Sequence, residues 1–328
     1  MFITGITGFV GSSVANYFSD LGYDVTGIGR KTSLPAHVSD KCKYIQADIG
    51  DTLDDIESDI VIHAAALASD TASFKEVYKP NVEGTQNVLV AAKNVKHFIY
   101  ISSSSVYHFH QNSMKENEAG LRFNKLSNYG KSKFLSEQLI IKDTNKNKKT
   151  ILRPRAIYGK YDQQLLPRLL KLVKGNKLLL PQHITKKISL THIHNLIHAI
   201  DLCINKQSES LEIFNVADKE VYNLHQILTT LLPLVTGKPL QTVTIPASLF
   251  NLLVAVNNRI KFNRSFNSFA ASSLINTAVL NIGEIMEKMN YDPLKNFDNS
   301  YTEIADWIHK EEGWKNFFET EVYIKPAV

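Results

Sequence analysis

The segment Gly5-Ile6-Thr7-Gly8-Phe9-Val10-Gly11 constrains the fold of this chain more than any other. It follows a short β-prone stub, Phe2-Ile3-Thr4, and precedes Val14, Ala15 and Phe18 at helical spacing. The order is strand, glycine-rich turn, helix. Glycines there permit a tight reversal, let the backbone approach a pyrophosphate, and let the helix pack on the strand. The helix N-terminus then offers free N–H groups to a phosphate. Thr4 and Thr7 read as turn residues.

Strands and helices keep alternating after this turn. Residues 24–28, 43–47, 60–63, 97–101 and 150–152 are short, apolar and β-prone. A helix is expected over 81–92, with Val82, Val88, Leu89 and Ala92 on its apolar side, and another around Tyr129. Such alternation predicts an α/β, doubly wound parallel sheet covered on both faces. Ligands of such sheets sit outside the carboxyl ends of the strands. The glycine turn, Ala64, Ser103 and Pro154 all fall at those ends.

Tyr129 and Lys133 stand four residues apart, just before the apolar-periodic residues Phe134, Leu135, Leu139 and Ile140. That spacing places both on one face of a helix. A free phenol titrates near about 10, and bringing it to about 7 requires roughly 4 kcal/mol in favour of the phenolate. A fixed positive charge in a poorly solvated cleft supplies much of this. The spacing alone arises often by chance; its weight comes from lying at the same sheet edge as the glycine turn.

Composition narrows the class. A chain of 328 residues is large enough for one big or two modest domains. No apolar run approaches the roughly 20 residues of a membrane span, and nothing before Gly5 reads as a signal peptide. Cys42 and Cys203 lack metal or redox spacing, so reduced thiols and a cytoplasmic setting are expected. The formal charge of +5 is mild, and the basic run 142–149 lacks interleaved aromatics. It reads as a solvated loop, not a nucleic-acid site. His192, His194, His198 and Asp201 suggest a metal site only by composition, and no metal is expected.

The chain resembles the extended short-chain dehydrogenase/reductases, a Rossmann-type family. The resemblance rests on residues 4–11, Asp48, residues 61–65, Asn81 to Thr85, Ser102 to Tyr107, Tyr129 to Lys133, and Arg153 to Gly159. It continues more weakly through 190–195 and 289–293. It implies Tyr129 as general acid/base on the substrate oxygen, with Lys133 lowering its pKa and holding the nicotinamide ribose. Ser103 would hydrogen-bond the substrate oxygen, with Ser104 as the alternative. Asn81 would support the site through its helix, or serve only as an N-cap. The resemblance places Gly5, Thr7, Gly8, Phe9, Val10 and Gly11 at the cofactor. Asp48 and Ile49 would lie near the adenine, Ala64, Ala65 and Ala66 along the cofactor, Ser102 beside it, and Pro154 at the nicotinamide.

Cofactor choice turns on Gly29-Arg30-Lys31. An acid about 20 residues past the glycine motif would hold the ribose hydroxyls of NAD. Arg30 stands there instead and suits a 2′-phosphate, so NADP is expected over NAD. The alternative is Arg30 stacked on adenine or facing solvent.

Two branches of the family compete for the substrate. Sugar-nucleotide 4-epimerases and 4-ketoreductases usually carry arginine-aspartate-phenylalanine for a diphosphate. This chain has Lys186-Lys187-Ile188-Ser189-Leu190. The 3β-hydroxysteroid dehydrogenases and 2-alkyl-3-ketoacid reductases resemble it over 153–159, 163–168 and 266–293. The apolar stretch 245–256 suits a greasy channel, a peripheral membrane contact or an ordinary core helix, and Arg259, Lys261 and Arg264 follow it. His108 and His110 stand where a glycine usually follows the valine–tyrosine pair, as a polar loop or a substrate contact. The expected organisation is a dinucleotide-binding domain from 1–159 and 187–218, and a mostly helical substrate domain from 160–186 and 219–328. The resemblance implies a homodimer. A non-enzymatic NADP sensor would not need Ser103, Tyr129 and Lys133 together.

Overall fold

The glycine turn joins strand β1 (Phe2–Thr4) to helix α1 (Phe9–Asp20). The chain continues through β2 (Thr26–Gly29), β3 (Lys43–Gln46), β4 (Ile60–His63), α2 (Phe74–Tyr78), α3 (Gly84–Ala91), β5 (His97–Ile101), α4 (Asn128–Lys142) and β6 (Lys148–Pro154). After β6 come β7 (Ile157–Tyr158), α5 (Leu165–Leu170), β8 (Val173–Lys174), β9 (Lys177–Pro181), β10 (Lys187–Ile188), β11 (Thr191–His192), α6 (Ile193–Asn205) and β12 (Leu211–Val216). The last are β13 (Tyr222–Asn223), α7 (Leu224–Thr236), β14 (Gln241–Ile245), α8 (Gly283–Met289) and α9 (Tyr301–Lys310). This computed structural model describes residues 1–69, 71–108, 113–182, 186–206, 210–246, 249, 252 and 277–310. His110, Arg259, Lys261, Arg264, residues 266–276 and, apart from Leu249 and Leu252, the apolar stretch after Pro246 lie outside the described residues.

Seven strands form one sheet in the order β12-β6-β5-β4-β1-β2-β3, and every pairing is parallel. Strand order reverses between β1 and β4, which opens a crevice at their carboxyl ends. The glycine turn lies on one side of that crevice and Ala64 to Ala66 on the other. The sheet's two faces are apolar, as helices on both sides require. Ile3, Val14, Ala15, Phe18, Ile62 and Ile99 pack with α6 on one face, and Val61, Val88, Leu89, Phe98, Tyr100 and Ile151 on the other. Each such side chain stabilises by roughly 1.5–3 kcal/mol on burial. A separate core gathers Tyr158, Leu166, Leu228, Leu232, Phe297 and Ile308. Around it the structure adds a three-stranded sheet, β14-β9-β8, to the helices expected there.

Four local expectations differ from the structure. Thr4 is the buried last residue of β1, not a turn residue, because its hydroxyl bonds His63. The helix expected over 81–92 starts earlier: α2 runs through a π-helical turn, Lys79–Glu83, into α3. The apolar residues Phe134, Leu135 and Leu139 are only half-buried. The buried face of α4 is instead Gly130, Ser132, Lys133, Ser136, Glu137 and Ile140, because polar partners wait for it on the sheet. Finally, the basic run does not end as a solvated loop. Lys148 donates to the carbonyls of Cys203 and Lys206, and buried Lys149 pairs with Asp143 at 3.2 Å. Among the described residues no helix is long and apolar enough to cross a membrane.

Backbone closeness at the glycine turn gives a direct test. A Cβ on Gly11 would lie 2.2 Å from the Gly5 carbonyl oxygen and 2.9 Å from the Ile6 Cα. Gly175 has φ of +63° but open space around it. Gly11→Ala is expected to cost about 1–3 kcal/mol of stability, as overpacking does, and to weaken dinucleotide binding. Gly175→Ala is expected to cost only about 1 kcal/mol of left-handed strain and to bind normally. Urea midpoints and cofactor titrations check both.

Candidate active site

The turn after β1 is a cradle of bare backbone. Gly5 has φ of +73° and donates its N–H to the Ile28 carbonyl at 2.9 Å. A Cβ there would fall 2.8 Å from the Ala65 Cα. Gly8 caps α1 with extended backbone and no side chain, leaving the first turn of the helix facing the crevice. Thr4 holds the two rims together, because its hydroxyl bonds His63 Nδ1 at 2.7 Å and accepts the Ala65 N–H at 3.1 Å. A side chain at Gly5 or Gly11 would collide with the backbone that shapes the turn, whereas one at Gly8 would meet nothing closer than 3.4 Å, so the bare turn at the helix start fits a dinucleotide pyrophosphate. Thr7 leans against Gly29, where a Cβ would meet its hydroxyl at 2.9 Å. Phe9 is buried in the core and Val10 is half-buried.

At the other end of the crevice, Arg30 follows β2 with its side chain 71% exposed and 3.9 Å from the Asp48 carboxylate. Tyr44 closes the rim by donating to the Gly29 carbonyl at 2.8 Å. Asp48 is half-buried there, and one of its oxygens accepts the Gly50 N–H. Ile49 follows Asp48 at the start of the next loop. Its side chain is buried against Gly84, and its carbonyl accepts from Asn87, so both are committed to α3.

Helix α4 carries the candidate chemistry. Ser127 caps it by accepting the Gly130 N–H at 3.0 Å. Gly130 allows close approach to the turn after β5: a Cβ there would stand 2.2 Å from the Ser105 carbonyl oxygen. Half-buried Tyr129 is therefore delivered to the serine run. Within that run Ser103 is half-buried, caps the short turn Ser104–Val106, and donates to the Ser105 hydroxyl at 3.1 Å. Ser104 is buried.

One turn along α4, Lys133 is 1% exposed. Its ammonium donates to the Ile101 carbonyl at 2.6 Å and lies 4.2 Å from the Tyr100 ring centroid. Burial pushes it down to about 7, against an opposing pull from Glu137. Burial and the Lys133 charge together push His63 down to about 3, so that ring is neutral. Asn81 is not an N-cap. Its side chain exchanges two bonds with the Leu67 backbone and donates to Ser132 at 2.9 Å, tying the β4 loop to α4.

Beneath Lys133 lies a polar cluster that the sequence reading did not pick out. Arg153 on β6 forks onto Glu137, Nε to Oε1 at 2.9 Å and Nη2 to Oε2 at 2.7 Å, with both residues buried. Ser102 donates to Oε1 at 2.5 Å, so its hydroxyl points into this cluster and not toward the cofactor crevice. Arg153 also donates to Tyr107 at 2.9 Å, and Tyr107 donates to Asn215 at 2.7 Å. The only sequence signal was the repeated four-residue step Tyr129, Lys133, Glu137. Pro154 ends β6 at the crevice edge. His108 is half-buried beside the serine run.

Of the histidines around the start of α6, His192 and His194 meet edge to face at 5.0 Å, while His198 packs elsewhere. His192 is buried and caps α6 by accepting the His194 N–H, and His198 stacks on Tyr291. Among the described residues no group of three His, Cys, Asp or Glu side chains is arranged to hold a metal.

Known proteins resemble this chain in sequence and in fold. The chain is 30% identical over 175 residues to an N-acetyl-alpha-D-glucosaminyl-diphospho-ditrans,octacis-undecaprenol 4-epimerase of Escherichia coli O157:H7, a match spanning about half of each chain. It is 27% identical over 278 residues to a 2-alkyl-3-oxoalkanoate reductase of Shewanella oneidensis, covering 78% of this chain and 70% of that one. In fold it matches the UDP-glucuronic acid 4-epimerase of Bacillus cereus solved with NAD, with a TM-score of 0.73, 21% identity, and coverage of 96% and 97%. The model of the NAD dependent epimerase/dehydratase family matches residues 1–217. With the crevice and the Tyr129–Lys133 helix in place, the chain belongs to that family and is an enzyme of the extended short-chain dehydrogenase/reductase type.

Proposed function

We propose that this enzyme interconverts a secondary alcohol and a ketone on a substrate with a large apolar part. The observation that carries the reading is the Lys133 ammonium, buried one turn from Tyr129 on the helix that packs against the Ser103 turn. The Gly5–Gly11 cradle would hold the pyrophosphate of a dinucleotide and Pro154 would border its nicotinamide, which would supply or accept the hydride. In the reducing direction Ser103 orients the substrate oxygen and Tyr129 protonates it. Lys133 stabilises the phenolate left behind, and its own proton is retained more firmly once that negative charge forms.

Two points favour the apolar substrate. Where diphosphate-binding relatives carry arginine and aspartate, Ile188 is buried in β10 and Ser189 accepts the Leu280 N–H at 3.0 Å. Those positions hold the backbone and present no charge. The relatives, by name, act on a 2-alkyl-3-oxoalkanoate, a 3β-hydroxysteroid and a polyprenol-linked sugar. The last of these also supports a second reading, a 4-epimerase using the same Ser103, Tyr129 and Lys133. For the cofactor, Arg30 favours NADP, because its exposed guanidinium suits a 2′-phosphate, although Asp48 competes for it.

Three outcomes test this reading. Tyr129→Phe is expected to lower turnover by about 10²–10⁴-fold while leaving cofactor affinity nearly unchanged; near-normal turnover refutes the assignment. A 2-alkyl-3-oxoalkanoate should consume reduced cofactor stoichiometrically, whereas conversion of UDP-N-acetylglucosamine without net consumption would establish the epimerase. Titration should show NADPH bound more tightly than NADH, with Arg30→Ala losing roughly tenfold for NADPH alone; tighter NADH binding removes the Arg30 argument.

The buried ammonium also predicts a pH dependence of stability. The folded pKa of Lys133, about 7, lies below its ordinary 10.5. Below pH 7 both states carry the proton and the full burial penalty applies. Between 7 and 10.5 only the unfolded chain holds it, so stability rises by about 1.4 kcal/mol per pH unit. Lys133→Met should lose one proton's worth of that slope, measured as urea midpoints at about pH 7.5 and about pH 9.5. An unchanged slope would show that Lys133 is solvated.

A further inference from the structure

We infer that Glu137 is a positioning residue for the reaction: through its fork with Arg153 it fixes both the charge of Lys133 and the backbone on which Ser103 stands. The inference rests on the reading of Lys133 as the partner of Tyr129. Glu137 lies one turn beyond Lys133 on the same face of α4 and is fully buried. It touches neither the cradle nor the Ser103 hydroxyl, so it acts through its neighbours.

Three consecutive residues at the end of β5 are gripped from this face. Ile101 accepts from the Lys133 ammonium at 2.6 Å. Ser102 donates to Glu137 at 2.5 Å while its N–H bonds the Leu152 carbonyl at 2.7 Å. Ser103 then opens the short turn against Gly130. The carboxylate thus sets the strand end one residue before the candidate catalytic serine. Arg153 holds it in that buried place through two bonds, at 2.9 and 2.7 Å. Burial pulls the guanidinium down, but Glu137 more than restores it, and it lies above its ordinary range.

The surroundings of Lys133 leave Glu137 as the group that favours its charge. His63 on β4 is neutral, and its Nε2 bonds Thr85 at 2.9 Å. Tyr100 on β5 presents its ring face, and burial holds its phenol far above the neutral range. Tyr129 shares α4, and Arg153 on β6 is already forked onto Glu137. Glu137 opposes the burial that pulls the ammonium down. The Glu137–Arg153 fork and the Lys133–Ile101 bond therefore hold one strand end together, and the Ser103–Tyr129 pair is preset before any ligand arrives.

The test follows the Lys133 ε-carbon by NMR in full-length protein labelled with ¹³C at lysine ε-carbons, with Lys133→Met assigning the resonance. Glu137→Gln should lower its titration midpoint by about one unit, a tenfold loss of the protonated form at a given pH. Because that variant leaves a buried guanidinium unpaired, the double variant Glu137→Gln/Arg153→Gln is measured beside it. It restores a neutral pair and should also titrate lower. The alkaline limb of kcat/KM for a 2-alkyl-3-oxoalkanoate should move down by the same interval, with rescue by Glu137→Asp. A midpoint unchanged in the folded double variant overturns the inference and leaves Glu137 purely structural. The NMR midpoint needs no substrate, so it stands or falls separately from the Tyr129→Phe result.

Discussion

A single buried ion pair, Arg153 with Glu137, lets a helix with a polar inner face lie on an apolar sheet. The inner face of α4 is Ser132, Lys133, Ser136 and Glu137, with Ile140 as its one large apolar side chain. Each buried polar group there needs a partner, since an unmade hydrogen bond costs about 1–3 kcal/mol and an unpaired charge more. The partners are present. Ser136 donates to the Asn81 and Ser132 carbonyls, Ser132 accepts from Asn81, and Lys133 donates to Ile101. The fork satisfies the last and most expensive group, and Ser102, Tyr107 and Asn215 extend it across the sheet to β12. An apolar helix in this place would pack as well and do no chemistry.

The sheet supplies the other half of the geometry. Parallel strands put all their carboxyl ends on one edge, so residues far apart in the chain meet without long loops. The Thr4–His63–Thr85 chain shows how firmly that edge is set. It runs from β1 through β4 to α3, and Thr85 donates onward to the Asn81 carbonyl. A neutral His63 suits this role, because a proton there would add a second cation beside Lys133.

What was legible in the sequence was what is local. The glycine turn and the Tyr129–Lys133 step each lie within a few residues, and turn chemistry or helical period links them to a backbone shape. Six of the seven strands of the sheet were visible for the same reason, and β12 (Leu211–Val216) was not. The helix α4 was visible but its polar inner face was not, because periodicity cannot distinguish a buried lysine with partners from an exposed one. Those partners are distant: Arg153 follows Glu137 by 16 residues, and Asn215 follows Tyr107 by 108. Ile49 and Ser102 were assigned to the cofactor by position in a motif. Their side chains turn the other way because α3 and Glu137 claim them.

The same logic recurs at a second hub, where the crevice meets the later part of the chain. Asp218 follows β12 and accepts from the His192 N–H and Asn195 on one oxygen, and from Tyr158 and Tyr222 on the other, all within 2.9 Å. Asn195 in turn accepts the N–H groups of Leu294 and Lys295. The motif 190–195 and the residues just after the motif 289–293, both only weakly like the family in sequence, are thereby stitched to one carboxylate. Burial pushes Asp218 up to about 6 even with four donors around it, so the hub is held by geometry more than by charge. Arg153 and Asp218 divide the work. The first fixes how α4 lies on the sheet, and the second fixes where the later segments stand relative to β11 and β7.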